Sequence, residues 1–258
     1  MIDLNLEGRK AIVTGASLGI GAAVSRELAD MGAEVFCCAR DSVSLDRLSS
    51  HSENITGIAA DLGGKTGTRE FLSEVKKLTD GVDIIVNNVG ASPSRNFLYM
   101  EDEDWEDLHQ LNLMSAVRCT REFLPHMREK KWGRVIMIAS SAAKYPSAAL
   151  IDYGATKAAL ISLSKSLARK YGRDGVLVNS VLPGLIHTAM WERAAGEIAT
   201  ANNSTVDEVI RKNGGTVPVG RYGTSEEVSS LVAFLCTNSA SYINGTSIEV
   251  DGGSAGHI

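Results

Sequence analysis

The sequence predicts an α/β protein: one doubly wound domain over residues 1–258, with a seven-stranded parallel sheet and helices on both faces. Three observations predict it. Short apolar runs alternate with longer stretches of helical period, as repeated strand–helix–strand units require. A glycine-rich turn follows the first apolar run directly. The alternation is broken once, near 188–217, by a segment that belongs to no such unit.

The strands are expected at 10–14 (KAIVT), 34–38 (EVFCC), 55–60 (ITGIAA), 83–87 (DIIVN), 134–139 (RVIMIA), 176–181 (VLVNSV) and 246–250 (TSIEV). Each is a short run of β-branched and other apolar residues, the composition of a strand covered on both faces. Helices are expected at 19–31, 66–79, 103–130, 153–171 and 225–236, with a weaker one near 42–50. Two helix starts carry capping boxes, Thr224 with Glu227 and Thr205 with Glu208, in which the hydroxyl accepts from the N3 amide and the glutamate reaches back. The Thr205 box opens a helix inside 188–217. A small helical insertion at the strand ends of an open sheet commonly covers the ligand.

The chain is 44% hydrophobic and 22% charged, with a formal net charge of -5 spread along its length. No basic block points to a nucleic-acid partner. No window approaches ~18 consecutive apolar residues, so no membrane span is expected. The N-terminus lacks the basic and apolar regions of a secretory leader. Cys37, Cys38, Cys119 and Cys236 show neither metal-ligand spacing nor a disulfide framework, so no metal and a cytoplasmic location are expected.

The turn after the first strand reads TGASLGIG, with Gly15, Gly19 and Gly21 spaced G-x-x-x-G-x-G. Missing side chains there let backbone amides and the positive end of the next helix approach a pyrophosphate, the arrangement of a Rossmann-type site. A purely structural turn explains the same glycines. The second strand ends in CCARD. Arg40 follows the position where an NAD-selective fold places an acid for the ribose 2′-hydroxyl, and an arginine suits a 2′-phosphate. This favours NADP(H) over NAD(H), although Asp41 beside Arg40 is placed to neutralise it. Asp61, after the third strand, is placed to meet an adenine amino group.

The other strand ends carry polar groups on the same edge. The fourth runs into NNVG (87–90) and the fifth into IASSAA, with Ser140 and Ser141. Tyr153 follows Ser140 by thirteen residues, and Lys157 lies one helical turn after Tyr153 on the same face. A phenol titrates near ~10, too high for ready proton exchange at neutral pH, and a neighbouring cation lowers it by ~1–3 units. Lys157 is therefore expected to tune Tyr153, with a serine hydroxyl holding the substrate oxygen. Taken alone, the pair is most simply a half-buried aromatic and a lysine extended along a helix; the glycine turn, the serines thirteen residues upstream and NNVG reverse that reading.

Together these motifs resemble the short-chain dehydrogenase/reductase family along essentially the whole chain. Thr14–Gly21 matches its TGxxxGIG, NNVG its NNAG with Val89 for alanine, Ser140 its serine, Tyr153–Lys157 its YxxxK, and VNSVLPG, followed by Thr188, its nicotinamide-side segment. The resemblance implies that Tyr153 is the acid in carbonyl reduction, that Lys157 lowers its pKa and binds the nicotinamide ribose, and that Ser140 orients the carbonyl. It implies a proton relay through a water held by Asn112. Gly15, Ser17, Gly19, Ile20 and Gly21 would line the phosphates, and Arg40 the 2′-phosphate. Asp61 and Leu62 would face the adenine, with Asn88 and Gly90 on the adenosine ribose side. Pro183, Gly184, Ile186 and Thr188 would hold the carboxamide. The basic residue that NADP-specific members often carry before the second motif glycine is Leu18 here, which leaves Arg40 as the main cofactor signal. A homotetramer is the implied assembly.

Substrate contacts are expected from Ser92, Pro93 and Arg95, from Lys144, Tyr145 and Pro146, and from Leu185, His187, Met190 and Trp191. These suit a carbonyl or secondary alcohol with a hydrophobic body. Within the family the pattern is nearest to the 3-oxoacyl-carrier-protein reductase-like members. An NAD-dependent alcohol dehydrogenase and a non-catalytic NADP(H)-binding sensor are the other readings. The complete Asn112, Ser140, Tyr153 and Lys157 set weighs against the sensor, because a binder has no use for a proton donor.

Overall fold

A computed structural model describes residues 3–255, apart from the side chain of Met190. Seven strands form one parallel sheet in the order β3-β2-β1-β4-β5-β6-β7. They are β1 (Lys10–Thr14), β2 (Glu34–Ala39), β3 (Ile55–Ala59), β4 (Ile84–Asn87), β5 (Gly133–Ile138), β6 (Val176–Pro183) and β7 (Ser247–Val250). The helices are α1 (Gly19–Asp30), α2 (Ser42–Ser49), α3 (Lys65–Leu78), α4 (Asp102–His109), α5 (Ser115–Glu129), α6 (Ile151–Tyr171), α7 (Ala189–Ala201), α8 (Val206–Gly214) and α9 (Ser225–Cys236).

The sheet is buried on both faces because its strands are apolar on both faces. Ala11, Val13, Val35 and Cys37 point to one layer, where Val24 and Leu28 of α1 and Val228 and Val232 of α9 pack against them. Ile12, Phe36 and Cys38 point to the other, against Phe71 and Val75 of α3, Phe123 and Met127 of α5, and Leu160 of α6. The four cysteines are buried and free, and burial pushes the thiols of Cys37, Cys119 and Cys236 up to about 12, so they pack as small apolar groups.

Two departures from the expected elements concern the site. The single helix expected over 103–130 is α4 and α5 joined by a π-helical turn, Gln110–Met114, so the long element changes its pitch at Asn112. A π turn accommodates one extra residue, which swings a side chain off the face that regular 3.6-residue spacing would give it. The insertion resolves into α7 and α8, which form a small cluster of their own through Ala195, Ala199, Val209 and Ile210. Both capping boxes are present, on α8 and α9.

From β1 the chain builds one half of the sheet through β2 and β3, then crosses to β4 and builds the other half. The carboxyl ends of β1 and β4 thus flank the switch point of the topology, where open sheets bind ligands. Among the described residues, no helix is long and apolar enough to cross a membrane and no cluster could hold a metal ion.

Candidate active site

The glycine turn and the start of the β4 loop are built as one unit. Thr14 Oγ1 accepts the N–H groups of Asn88 and Val89, at 3.0 Å each, and the Asn88 amide donates to the carbonyls of Thr14 (2.9 Å) and Gly15 (3.0 Å). Gly15 has φ +66°, and a Cβ there would lie 2.8 Å from Val89 Cα. The expected role of Asn88 on the ribose side therefore changes: both its donors hold the phosphate turn against β4. The residue before α1 is Leu18, which offers no side-chain cap, so the first amides of α1 keep their capacity for an anion. Ser17, Gly19 and Ile20 stand in this turn, half-buried.

Arg40 is exposed at the end of β2 and forms no ion pair among the described residues. Asp41 does not pair with it. The Asp41 carboxylate caps α2, accepting from Val43 N (3.2 Å), Ser44 N (3.3 Å) and the Ser44 hydroxyl, and these hydrogen bonds hold it below the usual carboxylate range. Asp61 is exposed after β3, and its Oδ1 accepts the Gly63 N–H at 2.9 Å. The side chain of Leu62 is a correction: it is 2% exposed and packs in the core with Phe71 and Leu72, so only its backbone can face a ligand.

The β6 end behaves similarly. The side chain of Ile186 is buried in the core, and a bridge to Gly223 uses the Leu185 carbonyl and the His187 N–H, both at 2.9 Å. In such a bridge the central residue's own N–H and C=O point the other way, so Ile186 offers its backbone and not its side chain. Gly184 packs against Asp251 and donates its N–H to Val250 at 3.0 Å, just after Pro183 ends β6. Thr188 caps α7, accepting from Trp191 N at 3.4 Å, and its methyl faces Gly19. The insertion is thereby anchored beside the phosphate turn.

Ser140, Tyr153, Lys157 and Asn112 converge at the ends of β4 and β5. The Ser140 side chain hydrogen-bonds the half-buried phenol of Tyr153, and its Oγ also accepts the Ala142 N–H at 3.2 Å. Ser141 opens the following short turn. Lys157 is buried, donates from Nζ to the Ile138 carbonyl at 2.8 Å, and lies 5.7 Å from the centre of the Tyr153 ring. Asn112 Oδ1 accepts the Ala91 N–H (2.9 Å), while Nδ2 donates to the Ala91 carbonyl (3.0 Å) and Thr156 Oγ1 (3.1 Å). A Cβ on Gly90 would lie 3.0 Å from Asn112 Oδ1 and 3.3 Å from Lys157 Nζ, so both polar groups crowd the backbone there.

The electrostatics correct one expectation. Lys157 was expected to lower the Tyr153 pKa, yet the phenol is raised: burial is the larger cause and the Ser140 hydrogen bond only opposes it. Burial also brings Lys157 itself down to about 8. Desolvation outweighs the attraction because the ammonium is spent on the Ile138 carbonyl at the end of β5 and not on the phenol oxygen. A raised phenol keeps its proton at neutral pH, which suits an acid better than a base.

Three residues expected to contact substrate are committed elsewhere. Lys144 pairs with Glu249 at 2.8 Å, and Tyr145 donates to the same carboxylate at 3.4 Å, tying the loop after Ser140 to β7. Arg95 bonds Asp104 of α4 and Asp152 of α6, each at 3.2 Å. The Asp152 side chain is 2% exposed and its other oxygen accepts the Tyr153 N–H at 2.8 Å. Spacing gave no hint of Asp152; an acid in the first turn of α6 was its only signal. Arg95→Ala would leave that buried carboxylate unpaired, and is expected to cost about 2–3 kcal/mol in urea unfolding. A wild-type midpoint would show that the pair does not anchor this end of α6.

Around this centre, Trp191 packs edge-on to Tyr222 with ring centres 5.6 Å apart, and His187 lies 6.5 Å from Tyr222 and 3.6 Å from Glu192.

The short chain dehydrogenase family model matches residues 9–198. The 3-oxoacyl-[acyl-carrier-protein] reductase FabG of Aquifex aeolicus is 34% identical over 257 residues, covering 98% of this chain and 99% of that protein. L-Sorbose reductase from Gluconobacter frateurii, solved with NADPH and L-sorbose, superposes with a TM-score of 0.94 at 32% identity, over 99% of this chain and all of that one. An actinorhodin polyketide ketoreductase variant, solved with NADPH, gives 0.91 at 29% identity over 96% and 98% of the two chains.

Proposed function

The chain belongs to the short-chain dehydrogenase family, and from that premise we propose that it is an NADP(H)-dependent carbonyl reductase in which Tyr153 supplies the proton. The observation that carries the reading is the Ser140–Tyr153 hydrogen bond with the buried Lys157 ammonium one turn away. The relatives solved with NADPH support the cofactor. So do the uncapped start of α1 and the cradle at Gly15, Gly19 and Gly21, which a Cβ would fill.

When bound, the reduced nicotinamide supplies a hydride to the carbonyl carbon. The chain's residues manage the oxygen. Ser140 donates a hydrogen bond to it, Tyr153 passes it the phenolic proton, and Lys157 stabilises the phenolate left behind. Asn112 is tied to Ala91 and Thr156 and borders Gly90 together with Lys157, the position from which a water would re-protonate the pair. The raised phenol is protonated at neutral pH, the form in which it acts as the acid. Gly15, Ser17, Gly19, Ile20 and Gly21 hold the phosphates, with Asp61 and the Leu62 backbone at the adenine. Gly90 lies on the ribose side and Arg40 on the 2′-phosphate. Pro183, Gly184, the Ile186 backbone and Thr188 serve the carboxamide. A homotetramer and a cytoplasmic location belong to the same proposal, on family resemblance.

The test is oxidation of NADPH and NADH against ketoses, aromatic and aliphatic ketones, aldehydes and 3-oxoacyl thioesters. Turnover of at least one ketone with NADPH preferred is expected. Tight NADPH binding with no turnover across the panel would favour the sensor, and a preference for NADH would overturn the cofactor assignment.

A further inference from the structure

Tyr153 stands in the first turn of α6, where backbone amides have no carbonyl behind them. Leu150, the residue before the helix, offers no side-chain cap, and the Gly154 N–H already reaches back to the Leu150 carbonyl at 2.8 Å. The Tyr153 N–H is instead taken by Asp152 Oδ1 at 2.8 Å. The other oxygen of that buried carboxylate accepts from Arg95 Nη1 at 3.2 Å. Arg95 is fixed in turn by α4, through the Asp104 carbonyl at 3.1 Å and the Asp104 carboxylate at 3.2 Å. The Tyr153 carbonyl is held as well: Thr156 Oγ1 donates to it at 2.8 Å and accepts from Asn112 Nδ2 at 3.1 Å. Asn112 binds both backbone groups of Ala91.

The two chains of hydrogen bonds end in one loop. Ala91 and Arg95 lie four residues apart after β4, and through these links they grip the carbonyl and the N–H of the same tyrosine. We propose that Arg95 and Asp152 are positioning residues for the proton transfer: Asp152 fixes the backbone that carries the phenol, and Arg95 fixes Asp152 to the loop and to α4. This rests on the reading of Tyr153 as the proton donor and deepens it.

The residue types suit the task. A proton passes only when the phenol and the carbonyl oxygen are within hydrogen-bond reach, and a misplacement of about 1 Å can cost about 10²-fold. An asparagine at 152 would offer Tyr153 the same acceptor but no charge for Arg95, so the carboxylate is what ties the helix start to the loop. A buried carboxylate needs a cation beside it, and Arg95 supplies one. The planar guanidinium presents a fork of donors that serves Asp152 and Asp104 together, which a lysine ammonium does not match.

The test measures kcat, substrate KM, NADPH affinity and urea midpoint for Asp152→Ala, Asp152→Asn, Arg95→Met and the double variant Arg95→Met/Asp152→Ala, on a carbonyl that the wild type reduces. Backbone hydrogen exchange at Tyr153 is read on the same proteins without substrate. Asp152→Ala is expected to lower kcat by about tenfold to hundredfold, with KM and NADPH affinity within about twofold. Its Tyr153 N–H should exchange about tenfold faster. Asp152→Asn keeps the acceptor and should stay within about threefold of wild type in both readouts. Arg95→Met leaves the Asp152 carboxylate unpaired and should lower the urea midpoint; adding Asp152→Ala removes that charge and should recover stability while kcat stays low. A kcat that followed the urea midpoint across the set, or a wild-type kcat or wild-type Tyr153 exchange in Asp152→Ala, would overturn this inference and leave the reductase reading intact. A wild type that reduces no carbonyl, or whose turnover survives Tyr153→Phe, would overturn that reading and this inference with it.

Discussion

Replacing Tyr153 with phenylalanine is expected to lower kcat for carbonyl reduction by about 10²–10⁴-fold, the worth of a positioned general acid. The ring remains, so the packing of α6 and the distance to Lys157 are kept, and only the phenolic O–H is lost. NADPH affinity should stay within about twofold by titration, because the group removed is one the substrate oxygen uses. Ser140 then loses its side-chain partner, but its Oγ still accepts the Ala142 N–H, so the turn after β5 should hold. The loss should fall on kcat more than on KM, since the proton moves only as the carbonyl oxygen gains charge. Full activity in this variant would mean that the proton comes from elsewhere, and the proposed mechanism would be wrong.

The environment of the phenol is what makes this expectation sharp. A tyrosine exposed to water would exchange protons with solvent, and its loss would be covered by water. Here burial raises the phenol and Ser140 holds it. The nearby ammonium of Lys157 is itself brought to about 8, so it is still charged at neutral pH when a phenolate forms beside it.

The arrangement of strands, the glycine turn and the convergence of Ser140, Tyr153 and Lys157 were legible because each depends on local period and residue type. Parallel strands buried on both faces write themselves as apolar runs, and KAIVT and DIIVN could hardly be anything else. What was not legible depends on where long side chains end. Arg95, Lys144 and Tyr145 have the chemistry of substrate contacts, yet carboxylates distant in sequence, Asp152 and Glu249, claim them. The π turn at Asn112 left no trace in the apolar pattern, since a one-residue widening of a helix moves a single side chain. Leu62 and Ile186 follow the ends of β3 and β6, and period alone does not say whether such a residue offers a ligand its side chain or its backbone. The sign of the Tyr153 shift was misjudged because sequence reveals the neighbouring charge and not the degree of burial.

Gly21→Ala is expected to damage both the fold and cofactor binding. Gly21 needs no unusual backbone angle; it needs empty space. A Cβ there would lie 2.3 Å from the Gly15 carbonyl oxygen and 2.5 Å from Asn88 Nδ2. Neither neighbour can yield cheaply. The Gly15 carbonyl accepts from that same amide, and the amide also binds the Thr14 carbonyl, so moving either opens the link between the phosphate turn and β4. Forcing the methyl in is expected to cost about 2–4 kcal/mol of stability, combining overpacking with the loss of a buried hydrogen bond. It should also weaken NADPH at least about tenfold, because the amides that face the phosphates would be displaced with the turn. Gly196→Ala on α7 is the matched control: a Cβ there meets nothing within 4 Å, and alanine favours a helix interior over glycine by roughly 0.5–1 kcal/mol. Urea unfolding should move the two variants in opposite directions. If they moved together, the close approach at Gly21 would not be what holds the turn against β4, and the glycine would have to be explained by the ligand alone.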